Sequence, residues 1–114
     1  MTQLEDTFES IPTTSLDEIV HQRVRLGILT IVHEARRVEF SFFAEALSLT
    51  GGNLSQHLRV LQEAGHIKID KGAEGRRPRT WVSITASGRR AFLNEIDALK
   101  AIVSRVESAS GVGD

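Results

Sequence analysis

The sequence predicts one mostly α-helical domain with a single small β-hairpin. Apolar residues recur at three- and four-residue steps through most of the chain, which is the helical period. Only between residues 66 and 84 do apolar and polar residues alternate as in strands, and glycine or proline separates the segments. A length of 114 residues suits one domain with a modest core.

Composition excludes several classes of protein. Apolar residues make up 40% of the chain and charged residues 25%, as in ordinary globular domains. No apolar run approaches the roughly 18 residues of a membrane span, and the N-terminal sequence MTQLEDTFES lacks the apolar segment of a signal peptide. The absence of cysteine excludes disulfides and thiolate metal sites. We therefore expect a cytoplasmic protein without a membrane partner.

The first half of the chain predicts two helices. Residues 1–15 are polar and are predicted to form a flexible N-terminal arm. Ser15 is a suitable N-cap for a first helix over about residues 16–35. The stretch RRVEF is predicted to be a short extended link, and a second helix begins at Ser41. The apolar positions of the first helix follow its period: Leu16, Ile19, Val20, Val24, Ile28, Ile31 and Val32.

A third helix and a hairpin follow the sequence Thr50-Gly51-Gly52. The segment NLSQHLRVLQEAG has leucines at a helical spacing and a glycine at its end, where a left-handed residue stops a helix. HIKID and TWVSI alternate with period two, and the intervening KGAEGRRPR is polar and rich in glycine. These segments predict a hairpin with a long tip.

A last helix is predicted over residues 86–108, with Thr85 as its N-cap and residues 109–114 as a flexible tail. Its apolar residues step by four and three over about two heptads, which is the spacing of a seam between helices. Packing on the first helix is one explanation, but the stripe continues past the small core. We expect it to form a homodimer interface through Phe92, Ile96, Leu99, Val103 and Val106.

Three helices, a hairpin and a final helix give the layout of a winged helix-turn-helix. The predicted DNA-binding domain covers residues 16–85, with a three-helix core and a two-stranded wing. The C-terminal dimerisation helix follows over residues 86–108.

The third helix carries polar side chains suited to reading bases. Asn and Gln pair with adenine, Arg pairs with guanine, and Ser or His bonds phosphate or base edges. An amphipathic helix with a solvated face is the alternative without the flanking turn and hairpin. The candidate DNA-binding residues of this segment are Thr50, Asn53, Ser55, Gln56, His57 and Arg59.

The wing supplies the other candidates, Arg76, Arg77 and Arg79, on a loop without large apolar residues. Pro78 stiffens the return strand. Although the net charge is −1, residues 51–90 carry eight Lys/Arg and three Asp/Glu, whereas acids outnumber bases on either side. Such polarity is typical of a module that binds a polyanion on one face. A solvated charged loop is the alternative that charge alone leaves open.

The remaining chemistry-bearing residues form no other recognisable site. The four histidines do not share adjacent turns of one helix, so no metal site is predicted, and no cofactor motif is present. His57 is interpreted as a donor of the recognition helix, and the others as structural or surface residues. Trp81 is expected to pack against the last helix or to flank DNA beside Arg79. Neither a nucleophile motif nor a phosphate loop is present, so we expect no enzyme.

Two stretches, NLSQHLRVLQEAGHI and GRRPRTWVSITASGRRAF with its T-x-x-G-R ending, resemble the winged-helix transcriptional regulators of the MarR/ArsR type, in their compact single-domain branch. The resemblance covers about residues 16–92. It implies a homodimeric transcription factor on a pseudo-palindromic double-stranded operator, a repressor more often than an activator. It also implies that Asn53, Ser55, Gln56 and His57 face DNA, with Arg59 nearby.

The resemblance has two further implications for ligands. Metal-sensing relatives use cysteine pairs, which this chain lacks, so metal sensing is not implied. Larger relatives sense small aromatic compounds beside the dimerisation helices, but nothing in this sequence supports a small-molecule effector. The alternative function is a protein-interaction module whose basic face docks an acidic partner.

Overall fold

A computed structural model describes residues 16–110 of the chain. The predicted arm at residues 1–15 and the final residues 111–114 of the predicted tail lie outside this range. Four helices and three strands follow one another: α1 (Arg23–Ala35), β1 (Arg37–Glu39), α2 (Phe40–Ala46), α3 (Gly51–Glu63), β2 (Ile67–Glu74), β3 (Arg77–Ile84) and α4 (Ala86–Ser110). The predicted fold class, a mostly helical winged helix-turn-helix, is confirmed.

The core lies between the helices and the inner face of the sheet. Each helix contributes apolar residues from one face, as their helical spacing predicts. Val38, Ile67 and Val82 complete the core from the sheet. The buried helical residues are Val24, Ile28, Leu29 and Val32 of α1, Phe43 of α2, Leu54, Leu58 and Leu61 of α3, and Phe92 of α4.

Helix α1 begins at Arg23, seven residues later than predicted. The Asp17 carboxylate accepts hydrogen bonds from the backbone N–H groups of Ile19 and Val20, at 2.8 and 3.2 Å. An Asp side chain bonded to its own backbone in this way competes with helix formation. Gln22 then caps α1 by accepting from the N–H of Arg25 at 2.9 Å. The apolar residues from Leu16 onward thus have a helical spacing, but the first of them form a turn, in which Val20 is buried.

The segment before α1 is also held by the last helix. Glu95 of α4 is 1% exposed, and its carboxylate accepts from the Asp17 N–H at 2.9 Å. Its other oxygen lies 2.6 Å from Nδ1 of His21. These two contacts satisfy a buried carboxylate, which is otherwise costly.

The sheet is antiparallel with strand order β1-β3-β2. The stretch RRVEF, predicted to be an extended link, supplies a third strand, in which Val38 pairs with Val82. Strands β2 and β3 pair from Ile67 opposite Ile84 to Glu74 opposite Arg77. The hairpin tip is thus two residues, Gly75 and Arg76, and is shorter than predicted because the strands extend into KGAEGRRPR.

The first half of α4 packs on the rest of the domain, and the second half extends beyond it. Phe92, Glu95 and Ala98 are buried, whereas Val103 and Val106 are 54% and 59% exposed. None of the helices described is long and apolar enough to cross a membrane.

Candidate nucleic-acid interface

Helix α3 separates its buried and exposed residues as a recognition helix requires. Thr50 is the N-cap, and its hydroxyl accepts from the N–H of Asn53 at 3.1 Å. The three leucines of α3 anchor it in the core. The predicted contacts Asn53, Ser55, Gln56 and Arg59 are all exposed. Helix α3 therefore presents amide, hydroxyl and guanidinium groups together on its solvent side.

His57 differs from the other candidates because it is half-buried and held by α1. Nη1 of Arg25 lies 3.0 Å from Nδ1 of His57. Since a guanidinium only donates hydrogen bonds, Nδ1 is the acceptor, and the hydrogen of the neutral ring is on Nε2. Burial, together with the charge of Arg25, lowers the pKa of His57 from 6.5. His57 is therefore neutral at pH 7 and carries one N–H donor on a fixed nitrogen.

Arg25 also ties α3 to the segment before α1. Its guanidinium donates to the carbonyl oxygens of Ile19, at 2.5 Å, and Glu18, at 3.4 Å. Arg25 was not identified from the sequence as a contributor to the site, because its partners on α3 and in the preceding turn are brought together only by folding.

The wing tip exposes two of the three predicted arginines. Gly75 has φ of 65°, the left-handed region that suits glycine in a two-residue turn. Arg76 and Arg77 are exposed beside it. Pro78 lies opposite Ala73 of β2, beyond the end of β1, so β3 has no partner on its other side there. A proline without an N–H is accommodated at such a position.

Arg79 occupies a different environment from the other two wing arginines. Its guanidinium donates to the carboxylate of Glu39 on β1, and the two side chains are only 26% and 28% exposed. The pair joins the outer face of β3 to β1. Arg79 is thus held against the sheet, whereas Arg76 and Arg77 extend from the tip.

A groove of about 650 Å³ lies between α3 and the inner face of the wing. Arg59 and Lys71 supply positive charge from its two sides, and Thr80 is opposite Lys71 in the strand register. We name it the α3–wing groove, and its lining is Phe40, Ser55, Leu58, Arg59, Gln62, Ile69, Lys71 and Thr80. Gln62, Lys71 and Thr80 were missed as candidates from the sequence. The strand alternation, which puts Lys71 and Thr80 on the side of Ile69 and Val82, could have identified two of them.

The predicted dimer residues divide into two groups along α4. Phe92 is 5% exposed and packs in the core, with its ring 5.3 Å from that of His33. Ile96 packs partly against the core. A shallow apolar groove of about 390 Å³ follows, lined by Ile96, Leu99 and Val103 among others. Only the part of the stripe beyond Phe92 is therefore available to a partner.

Trp81 lies on the face of β3 opposite to the buried Val82, the same face as Arg79. The guanidinium of Arg37 lies 4.3 Å from its ring centroid, on the outer face of the sheet. Within residues 16–110 no group of three or more His, Asp or Glu side chains is arranged to hold a metal ion.

Comparison with known proteins agrees with this geometry. Residues 24–103 match the family model described as a winged helix DNA-binding domain. An uncharacterized protein of Methanocaldococcus jannaschii is 34% identical over 90 residues, which are 79% of this chain and 98% of that protein.

Two solved structures show the same fold. A transcriptional regulator homologue from Pyrococcus horikoshii is 34% identical, with a TM-score of 0.74 over 94% of this chain and 99% of its own. A MarR-family transcriptional regulator from Rhodococcus is 17% identical, with a TM-score of 0.64 over 93% of this chain and 74% of its own. The chain belongs to the winged helix DNA-binding domain family, and the resemblance inferred from its sequence is confirmed.

Proposed function

We propose that this winged-helix protein is a transcriptional repressor that binds a specific, pseudo-palindromic sequence of double-stranded DNA as a homodimer. The α3–wing groove is the observation that carries the proposal. One wall of this groove is the exposed polar side of helix α3, and the other is the inner face of the wing. Arg59 lies on the first wall and Lys71 on the second. Such a surface fits the phosphate backbone between two grooves of a duplex.

Each element has its own part in this proposal. The recognition helix, about residues 51–64, enters the major groove, where Asn53 and Gln56 have the amide groups that pair with adenine. Arg59 suits guanine or a backbone phosphate. His57, with its hydrogen on Nε2, donates to a base or phosphate acceptor. The wing, about residues 71–80, contacts the minor groove or backbone through Arg76 and Arg77.

The homodimer is proposed to form through the apolar stripe of α4 beyond the core. Two recognition helices related by a two-fold axis would then enter successive major grooves about 34 Å apart. Repression would follow from occupancy of a promoter. The similarity to the transcriptional regulator homologue from Pyrococcus horikoshii, at 34% identity, supports this role.

Selection of binding sites from a random duplex library, followed by gel shift with a salt titration, tests the proposal. We expect an enriched sequence with two inverted half-sites and a specific affinity about 10³-fold or more above that for random DNA. Gln56→Ala should change the preferred bases rather than abolish binding. Enrichment of no sequence would refute specific recognition, and a stoichiometric acidic protein partner without DNA affinity would favour the protein-interaction alternative.

A further inference from the structure

A second basic cavity lies at the end of the sheet away from the wing tip. Its volume is about 640 Å³, and it is formed where the end of α1, β1, the end of β3 and the first turn of α4 meet. We name it the basal cavity, and it is lined by His33, Arg36, Arg37, Ser83, Ile84 and Arg89. Only one of these six residues is aliphatic, so the cavity suits a small hydrophilic ligand.

The charge of the basal cavity is not balanced by the protein. Its lining contains three arginines and no carboxylate. Among the side chains that the structure describes, none of the three forms an ion pair. Arg37 is instead held against the ring of Trp81, 4.3 Å from its centroid. Positive charges that line one cavity without a counter-charge favour binding of an anion, and guanidinium groups bind oxyanions with paired hydrogen bonds.

Two local irregularities coincide with this cavity. Arg36 ends α1 with φ of 67° and ψ of −52°, a conformation that side-chain-bearing residues rarely adopt. Nδ1 of His33 is buried without a hydrogen-bond partner. Backbone strain and unsatisfied polar atoms occur preferentially at functional sites. Their presence in a cavity lined by three arginines without ion pairs favours a binding role over a solvated surface.

The basal cavity is separate from the proposed DNA-binding surface. Ser83 is six residues from Arg77 along β3, or about 20 Å at the rise of a strand. A phosphate contacted by the wing tip therefore does not reach it. We propose that the basal cavity binds a small-molecule oxyanion, a phosphate or carboxylate group held by Arg36, Arg37 and Arg89 with the Ser83 hydroxyl as a further donor.

Calorimetric titration tests this proposal. The full chain is titrated with inorganic phosphate and, separately, with citrate, and sodium chloride keeps the ionic strength constant. We expect saturable binding of at least one of the two anions with one site per chain. Arg89→Gln should weaken it at least about tenfold because it removes a guanidinium from the lining. Arg90→Gln removes the same charge from the next, exposed residue of α4 and should change the affinity less than about twofold.

A second variant separates binding from folding. Arg36→Gly removes another guanidinium and places glycine where φ is positive, so it should weaken anion binding without lowering the melting temperature. Absence of saturable binding of both anions, or equal losses in Arg89→Gln and Arg90→Gln, would overturn the proposal. Gel shift with Arg89→Gln distinguishes the two sites, because DNA affinity should be retained. If instead duplex DNA competes with phosphate and Arg89→Gln loses both ligands, the cavity is a DNA contact and the small-molecule proposal is wrong.

Discussion

Gly88 lies where α4 packs closely against the turn between α3 and β2. A Cβ at this position would lie 2.0 Å from the carbonyl oxygen of His66. The same turn is joined to α4 by Thr85, whose N–H donates to His66 O at 3.0 Å and whose hydroxyl donates to Gly65 O at 2.6 Å. The Thr85 hydroxyl in turn accepts from the Gly88 N–H at 2.9 Å. The T-x-x-G sequence thus fixes the hairpin against α4.

Gly88→Ala is expected to destabilise the domain by about 3 kcal/mol or more, because the clash is with backbone and cannot be relieved by a rotamer change. The measurement is the free energy of unfolding from urea denaturation. Gly52→Ala is the matched control, since a Cβ there meets nothing within 4 Å and lies in helix α3. It should be neutral or stabilising by up to about 1 kcal/mol. Similar losses in both variants would contradict the assigned role of Gly88.

His57 makes stability depend on pH. Burial and the charge of Arg25 lower its pKa from 6.5, so the folded chain takes up this proton at lower pH than the unfolded chain. Well above pH 6.5 the ring is neutral in both states and has no effect. As the pH falls through 6.5, protons bind preferentially to the unfolded chain, and stability falls.

We expect the loss of stability between about pH 8 and pH 5.5 to be smaller in His57→Gln than in the wild type, as measured by urea midpoints. NMR titration of the ring should show the pKa of His57 below 6.5 and rising in Arg25→Gln. Arg23→Gln, which changes an exposed arginine on the same helix, serves as the control. An unchanged pKa in Arg25→Gln would contradict the proposed contact.

For single residues, a role set by the local sequence was predictable, whereas a partner distant in the sequence was not. Thr85 was predicted as an N-cap from local pattern alone, and it is one. The ion pair of Arg79 with Glu39 was missed because the partners are 40 residues apart and meet only through strand pairing. A basic loop tip predicts contact with an anion, but which of its arginines is neutralised by the protein depends on tertiary structure.

At the scale of elements, the arginines of the wing have two tasks. Arg76 and Arg77 are exposed at the tip, where they are proposed to contact DNA, whereas Arg79 pairs with Glu39 of β1. β1 has only three residues, too few for a period, so its pairing with β3 was not predictable from local pattern. The later start of α1 has partly a similar cause, because the Asp17 N–H is bonded to Glu95, 78 residues away, in addition to the local bonds of the Asp17 carboxylate. Helices α3 and α4, which carry long periodic stripes, were predicted close to their observed positions.

The two tasks predict different phenotypes for neighbouring wing residues. Arg77→Ala should weaken binding to all DNA sequences and reduce the slope of log affinity against log salt by about one, without changing stability. Arg79→Ala should lower the free energy of unfolding by about 0.5–1 kcal/mol because it removes the partly exposed pair with Glu39. Fluorescence anisotropy and urea denaturation measure the two effects.

Lys68→Ala removes the same charge from the base of the hairpin, where the side chain is 70% exposed, and is the control for both. It should leave the salt slope and the stability near those of the wild type. An equal reduction of slope in Lys68→Ala and Arg77→Ala would mean that overall charge, rather than contact by the wing tip, sets the affinity.

For the whole molecule, polar contacts connect α4 to the recognition helix. Glu95 of α4 holds Asp17 and His21, and the carbonyl groups of the following turn hold Arg25, which contacts His57 on α3. The segment before α1 therefore fixes the recognition helix relative to the helix that we propose for dimerisation. Such a connection suits a dimer in which the spacing of two recognition helices must be defined.

The proposed dimer is tested by placing a charge on the exposed part of the α4 stripe. Val103 is 54% exposed in the single chain, and a facing helix would bury it with Leu99 and Val106. Light scattering should give the wild type twice the 12.6 kDa mass of one chain. Val103→Asp should raise the dimer dissociation constant at least about 100-fold, because an unpaired carboxylate would be buried at the seam. Ala101→Asp puts the same charge on the opposite side of α4 and should remain dimeric.

The same variants connect assembly to DNA binding. A dimer engages both half-sites at once, so Val103→Asp should bind a palindromic site with the affinity of one half-site, whereas Ala101→Asp should bind it like the wild type. Because Val103 lies far along α4 from the buried Phe92 and Glu95, the monomeric variant should stay folded by circular dichroism. A wild-type chain that is monomeric at micromolar concentration, or a Val103→Asp chain that remains dimeric, would show that this stripe does not form the interface.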